Sequence, residues 1–134
     1  MNANKLELIS KWLKKAKNDL RAVQQIMSES DYPTDIVCFH SQQAIEKSLK
    51  AILIYRDIEF KRSHDLIYLL NLSELSAETK QKYIATFLDI NYYAVNARYP
   101  GEEDDPTIAE TELAFQIAKD VFDLAERIIY EKVL

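Results

Sequence analysis

The residues best suited to chemistry lie on three segments of this chain. In Asn91-Tyr92-Tyr93-Ala94-Val95-Asn96-Ala97-Arg98-Tyr99-Pro100-Gly101 a helical apolar stripe acquires an asparagine and an arginine. At about 100° per residue, Ile84, Phe87, Leu88, Ala94 and Val95 share an arc of roughly 140°, with Asn91 and Arg98 in its middle. Both polar groups are therefore expected to face other helices. A buried guanidinium without a partner is costly, so Arg98 is expected to meet a specific acceptor or to border a polar cleft. Tyr92, Tyr93, Arg98 and Tyr99 are also the side chains with which a protein stacks on a base and holds a phosphate, and equally the ones a protein interface prefers.

A second group is Gln43, Lys47, Lys50, Glu46 and His40, which share a polar arc of roughly 120° on an otherwise apolar helix. Lys47 and Lys50 could meet an anion there, or form a solvated strip paired with Glu46. The third is His64, in Lys61-Arg62-Ser63-His64-Asp65-Leu66, where a side chain that titrates near neutrality can serve as acid, base or ligand, or bond to a helix end. The acidic run Glu102-Glu103-Asp104-Asp105 lacks the ligand spacing of a calcium loop. The sequence also has no nucleophile elbow, phosphate-binding loop, His-Glu-x-x-His helix or dinucleotide fingerprint.

The elements that position these groups read as helices throughout. One glycine and three prolines leave little material for hairpins. Leu6, Ile9, Leu13, Ala16, Leu20, Val23 and Met27 advance by threes and fours, predicting a long amphipathic first helix. Pro33 breaks it, and a second helix is expected from about Thr34 to Arg56, apolar around most of its circumference and therefore central. Ser63 is read as the cap of a short helix over His64 to Asn71, and Ser76 as the cap of one running to Arg98, stopped by Pro100-Gly101. Asp105-Pro106-Thr107 opens the last helix, with Thr107 and Glu110 as an alternative capping box. The expected fold is all-α, an up-and-down bundle of four long helices and one short one, forming a single domain over residues 1–134.

A chain of 134 residues can bury about two-thirds of its unfolded surface, so it needs no disulfide or metal to hold a core. Its lone Cys38 rules out an internal disulfide, no Cys/His zinc spacing is present, and no cofactor is implied, which fits a cytoplasmic setting. The lysines among the first twenty residues interrupt any signal-peptide core, and no transmembrane helix is expected. The net charge of -5 divides into +3 over residues 1–62 and -8 over residues 63–134. That polarity argues against non-specific nucleic-acid binding over the whole surface and suits association with another protein or a second copy.

Four segments together resemble the HEPN domain family: Trp12-Leu13 with Ala16-Lys17-Asn18-Asp19-Leu20, then Gln42-Gln43-Ala44-Ile45-Glu46-Lys47-Ser48-Leu49-Lys50-Ala51, then Ser63-His64-Asp65-Leu66, and last Ala97-Arg98-Tyr99-Pro100. The resemblance covers almost the whole chain. It implies a helical bundle that dimerises and, in prokaryotes, often works beside a minimal nucleotidyltransferase as a toxin-antitoxin pair. Many members are metal-independent ribonucleases that use an arginine and a histidine with four to six residues between them. Here Arg56 and His64 are separated by seven, and no histidine follows Arg98. The leading expectation is thus a homodimeric nucleotide- or phosphate-binding or interaction module, with Gln43, Lys47, Lys50, His64, Asn91, Arg98 and Tyr99 lining a groove anchored by Arg98. One alternative is a ribonuclease with a rearranged site of His64 and Arg98, acting on RNA. The other is a purely structural interaction protein in which Arg98 pairs with Asp89 or Glu46.

Overall fold

Asn2 starts the first helix by accepting the Lys5 N–H at 2.7 Å, and the chain then runs through α1 (Ala3–Met27). In the computed structural model, which describes residues 2–101 and 104–131, four more helices follow: α2 (Thr34–Tyr55), α3 (Leu66–Leu72), α4 (Ala77–Arg98) and α5 (Ile108–Tyr130). No strand occurs among the described residues. The all-α expectation of four long helices and one short one is met.

As its near-continuous apolar circumference predicts, α2 is the element that the other four pack around. Val37, Cys38, Ala44, Ile45, Ile52 and Leu53 on it are fully buried. Each large apolar side chain buried this way contributes about 1.5–3 kcal/mol. Contacts between helix ends fix the directions. Lys5 at the start of α1 meets Asp57, just past the end of α2, at 2.8 Å, so those two helices run antiparallel. Tyr93 late in α4 bonds Glu110 early in α5, which sets that pair antiparallel as well. The α2 terminus closes with Ile58 N–H donating to Leu53 O at 2.9 Å and Asp57 N–H to Ile54 O at 3.1 Å. This six-to-one and five-to-two pattern places Asp57 in the left-handed region at φ 57°.

Three local expectations are corrected. The short helix begins at Leu66 and its cap is Asp65, whose carboxylate accepts the Ile67 N–H at 3.0 Å. Ser63 instead accepts the Asp65 N–H at 3.1 Å, holding the turn before the helix. At α5 the alternative reading holds and the first does not: the cap is Thr107 in a full capping box with Glu110, and Asp105 lies outside it. Ser76 caps α4 as expected.

The third correction concerns the face of α4. Its buried positions are Tyr83, Phe87, Ile90 and Ala94, with the Tyr83 and Phe87 rings stacked at 5.3 Å. Ile84, Leu88, Tyr92 and Val95 form a second apolar stripe that is exposed. What periodicity presented as one wide face is two: one faces α2 and α3, while the other is uncovered. Asn91 sits at their border and not at the centre of a buried face.

Candidate functional site

A groove of about 490 Å³ lies where the turn before α3 crosses α2 and α4. Ile67, Leu88, Ala94 and Val95 supply its apolar walls, and Gln42, His64, Asp65 and Asn91 its polar end. The walls belong largely to the exposed stripe of α4, so the groove exists because that stripe has no covering helix.

The polar end is held from three helices. From α2, buried Gln42 donates its amide N–H to the His64 carbonyl at 2.8 Å and to Glu46 Oε1 at 3.3 Å. From α4, Asn91 Oδ1 accepts the Leu66 N–H at 3.1 Å while its Nδ2 donates to Asp65 Oδ1 at 2.9 Å. Asp65 also caps α3. The backbone on both sides of His64 is therefore tied down, and its ring is tied as well: Nδ1 lies 2.9 Å from Glu46 Oε1. The imidazole remains 60% exposed while the Glu46 side chain is 4% exposed, so a buried carboxylate orients an accessible ring.

Glu46 is in turn held by Lys50. Its Oε2 receives the Lys50 ammonium at 3.1 Å, and that ammonium lies over the rings of Trp12 at 5.4 Å and Phe60 at 6.0 Å. Lys50, expected on a polar arc open to a ligand or solvent, is thus buried with its charge matched internally. Lys47 turns toward α1, where Asp19 accepts its ammonium at 2.6 Å and lies 3.0 Å from His40 Nδ1. Two lysine-carboxylate-histidine clusters therefore stand on α2. Of the two, the Glu46 cluster orients the histidine of the groove.

The expected set is only partly brought together. His64 and Asn91 line the groove; Gln43 stands behind it, donating to Gln42 Oε1 at 2.7 Å. Tyr99 lines a separate cleft of about 320 Å³ with Asp35, Tyr93 and Asn96. The side chain of Arg98 lies outside the described residues. Gln42 and Asp65 were missed as groove residues, and their only sequence signal is adjacency to Gln43 and His64. Asp19 stands in a segment that carries the family resemblance, but nothing local points to its partners, which are 21 and 28 positions away.

Tyr93, Glu110 and Cys38, outside the groove lining, are shifted by their surroundings. Burial, followed by the Glu110 hydrogen bond and charge, pushes the Tyr93 phenol well up. The same bond, with Thr107, holds the Glu110 carboxyl below its usual range. Burial raises the Cys38 thiol to about 11, despite its bond to Thr111 at 3.7 Å, which leaves it a poor nucleophile. Among the described residues no helix is long and apolar enough to cross a membrane.

Comparison with known proteins agrees with this architecture. The HEPN domain family model matches residues 9–130. A protein of Methanocaldococcus jannaschii named "Putative toxin MJ1304" is 27% identical over 135 residues, covering 90% of this chain and 88% of its own. The crystal structure of ST0689, an archaeal HEPN homologue, superposes with a TM-score of 0.70 at 24% identity, covering 90% of this chain and 97% of that one, a likeness of fold.

Proposed function

This chain belongs to the HEPN domain family, and from that premise we propose that it is a toxin-like HEPN protein whose His64 groove binds a nucleotide or another phosphate-bearing ligand. The observation that carries the reading is the groove itself: an accessible, oriented imidazole and a tied-down amide at one end of an apolar trough. Such a trough suits the planar, weakly polar body of a base, with His64 and Asn91 reading its edge. Its described ionisable groups are His64 and Asp65, and Lys47 and Lys50 are engaged with Asp19 and Glu46. Arg98, the anchor expected from the sequence, is retained in this reading as the phosphate contact. Titration calorimetry with nucleoside triphosphates tests it: wild type binds, and Arg98→Ala and His64→Ala each bind more weakly. Equal heats in all three proteins overturn the ligand assignment.

We further propose a homodimer and a partner of the minimal nucleotidyltransferase type. Support for self-association comes from the exposed stripe of Ile84, Leu88, Tyr92 and Val95, since a monomer rarely leaves such a stripe uncovered; Leu88 and Val95 also wall the groove, so a second copy seated on the stripe would border the bound ligand. The partner rests on the family resemblance and on the toxin named among its relatives. Mass spectrometry of the natively purified complex tests both, and a chain that purifies alone and monomeric contradicts them.

A second reading, a metal-independent endoribonuclease, is favoured by the pairing of His64 with Glu46, an arrangement suited to acid-base work. It predicts RNA cleavage in the presence of a chelator that disappears in His64→Ala.

A further inference from the structure

We propose that Glu46 is the positioning residue of the groove, fixing neutral His64 as the Nδ1–H tautomer so that Nε2 offers its lone pair to the occupant. The inference rests on the groove reading for its functional meaning, but its geometry stands on the ligand-free protein. Glu46 Oε1 lies 2.9 Å from His64 Nδ1. Neither carboxylate oxygen can act as a donor while Oε2 holds the Lys50 ammonium at 3.1 Å, so the hydrogen between Oε1 and the ring belongs to Nδ1. A carboxylate is a stronger acceptor than a neutral group, and this one is shielded from water with its side chain 4% exposed.

The backbone that carries the ring is fixed from two sides, and the Glu46 contact is what holds the ring itself. Gln42 holds the His64 carbonyl at 2.8 Å, and Asn91 holds the next residue through Asp65 Oδ1 at 2.9 Å. With Nδ1 engaged by Glu46, Nε2 is the ring nitrogen left to meet an occupant, on an imidazole that is 60% exposed. A nitrogen presented in this form accepts a proton or a hydrogen bond. The matching occupant therefore places a hydroxyl, an amino group or a ring N–H against His64, and a purely anionic group makes no hydrogen bond there until the ring is protonated. Lys50 acts one step further back, holding Glu46 from below between the Trp12 and Phe60 rings.

The test is long-range proton-nitrogen NMR on the full-length, uniformly nitrogen-15-labelled protein, without ligand, at a pH where the ring is neutral. Wild type is expected to show Nδ1 protonated and Nε2 unprotonated, the reverse of the form that free neutral histidine prefers. In Glu46→Gln/Lys50→Met, which removes both buried charges together, the Nδ1–H form loses its predominance. A wild-type ring carrying its proton on Nε2, or an unchanged tautomer ratio in the double variant, overturns the proposal. The wild-type spectrum alone decides it if the variant does not fold. Failure of nucleotide titration would leave this result untouched, so the two readings fail separately.

Discussion

Lys50 Nζ and Glu46 Oε2 lie 3.1 Å apart with both side chains almost wholly buried, one turn from each other on the central helix. A pair sequestered this way adds little net stability over an apolar pair of similar volume, but leaving one charge alone is costly. Glu46→Ala is therefore expected to destabilise the protein by about 3–5 kcal/mol in urea denaturation, and Lys50→Ala by a similar amount. Glu46→Gln/Lys50→Met should cost markedly less than the sum of its single changes. Additive losses would show that the two groups do not depend on each other.

The bond between Tyr93 and Glu110 predicts opposite behaviour at the two ends of the pH scale. Native Glu110 binds its proton less tightly than the unfolded chain, whose ordinary value is 4.5, because the Tyr93 hydroxyl and Thr107 donate to its charged form. That contribution is full above about pH 4.5 and is lost as pH falls through the lower native value. Native Tyr93 is raised above its ordinary 10.0, so its contribution is full below about pH 10 and is lost as pH rises through the higher native value. Tyr93→Phe should flatten both limbs of a melting-temperature profile, and Thr107→Ala, which removes the helix cap, should cost about 1 kcal/mol near neutrality. A Tyr93→Phe profile parallel to wild type would contradict the assignment.

Helical periodicity made the five helices legible, and small polar residues made two of their starts so: Ser76 and Thr107 cap where their spacing says they should. What it left open on α4 was which apolar residues are core. Ile84, Leu88 and Val95 have the same character as Phe87 and Ala94, and only the placement of α2 and α3 separates them. The acceptor for His64 was equally hidden. Glu46 lies 18 positions upstream and stood among a lysine-rich arc that reads as solvated until the helix is placed at the centre of the bundle. Asp65 shows the local version of the same problem, since Ser63 and Asp65 are both good caps and the choice depends on the Asn91 amide that holds Asp65 from another helix.

The uncovered stripe of α4 gives a prediction about assembly. Leu88→Glu and Val95→Glu alter side chains that are 56% and 59% exposed, so each should shift monomer stability by no more than about 0.5 kcal/mol. Light scattering on the eluted protein should nevertheless show the proposed dimer shifting to monomer. A dimer that survives both changes together places the self-contact on another face.

The groove carries the functional account, and amide chemical-shift mapping during titration with a nucleoside triphosphate tests it most directly. The account predicts saturable shifts at His64, Asp65, Asn91 and Val95, with Gln42 following through its bond to the His64 carbonyl, and near silence around Arg21 and Ser28 at the far end of α1. Shifts confined to surface lysines, or no saturable shift at the groove, would contradict it.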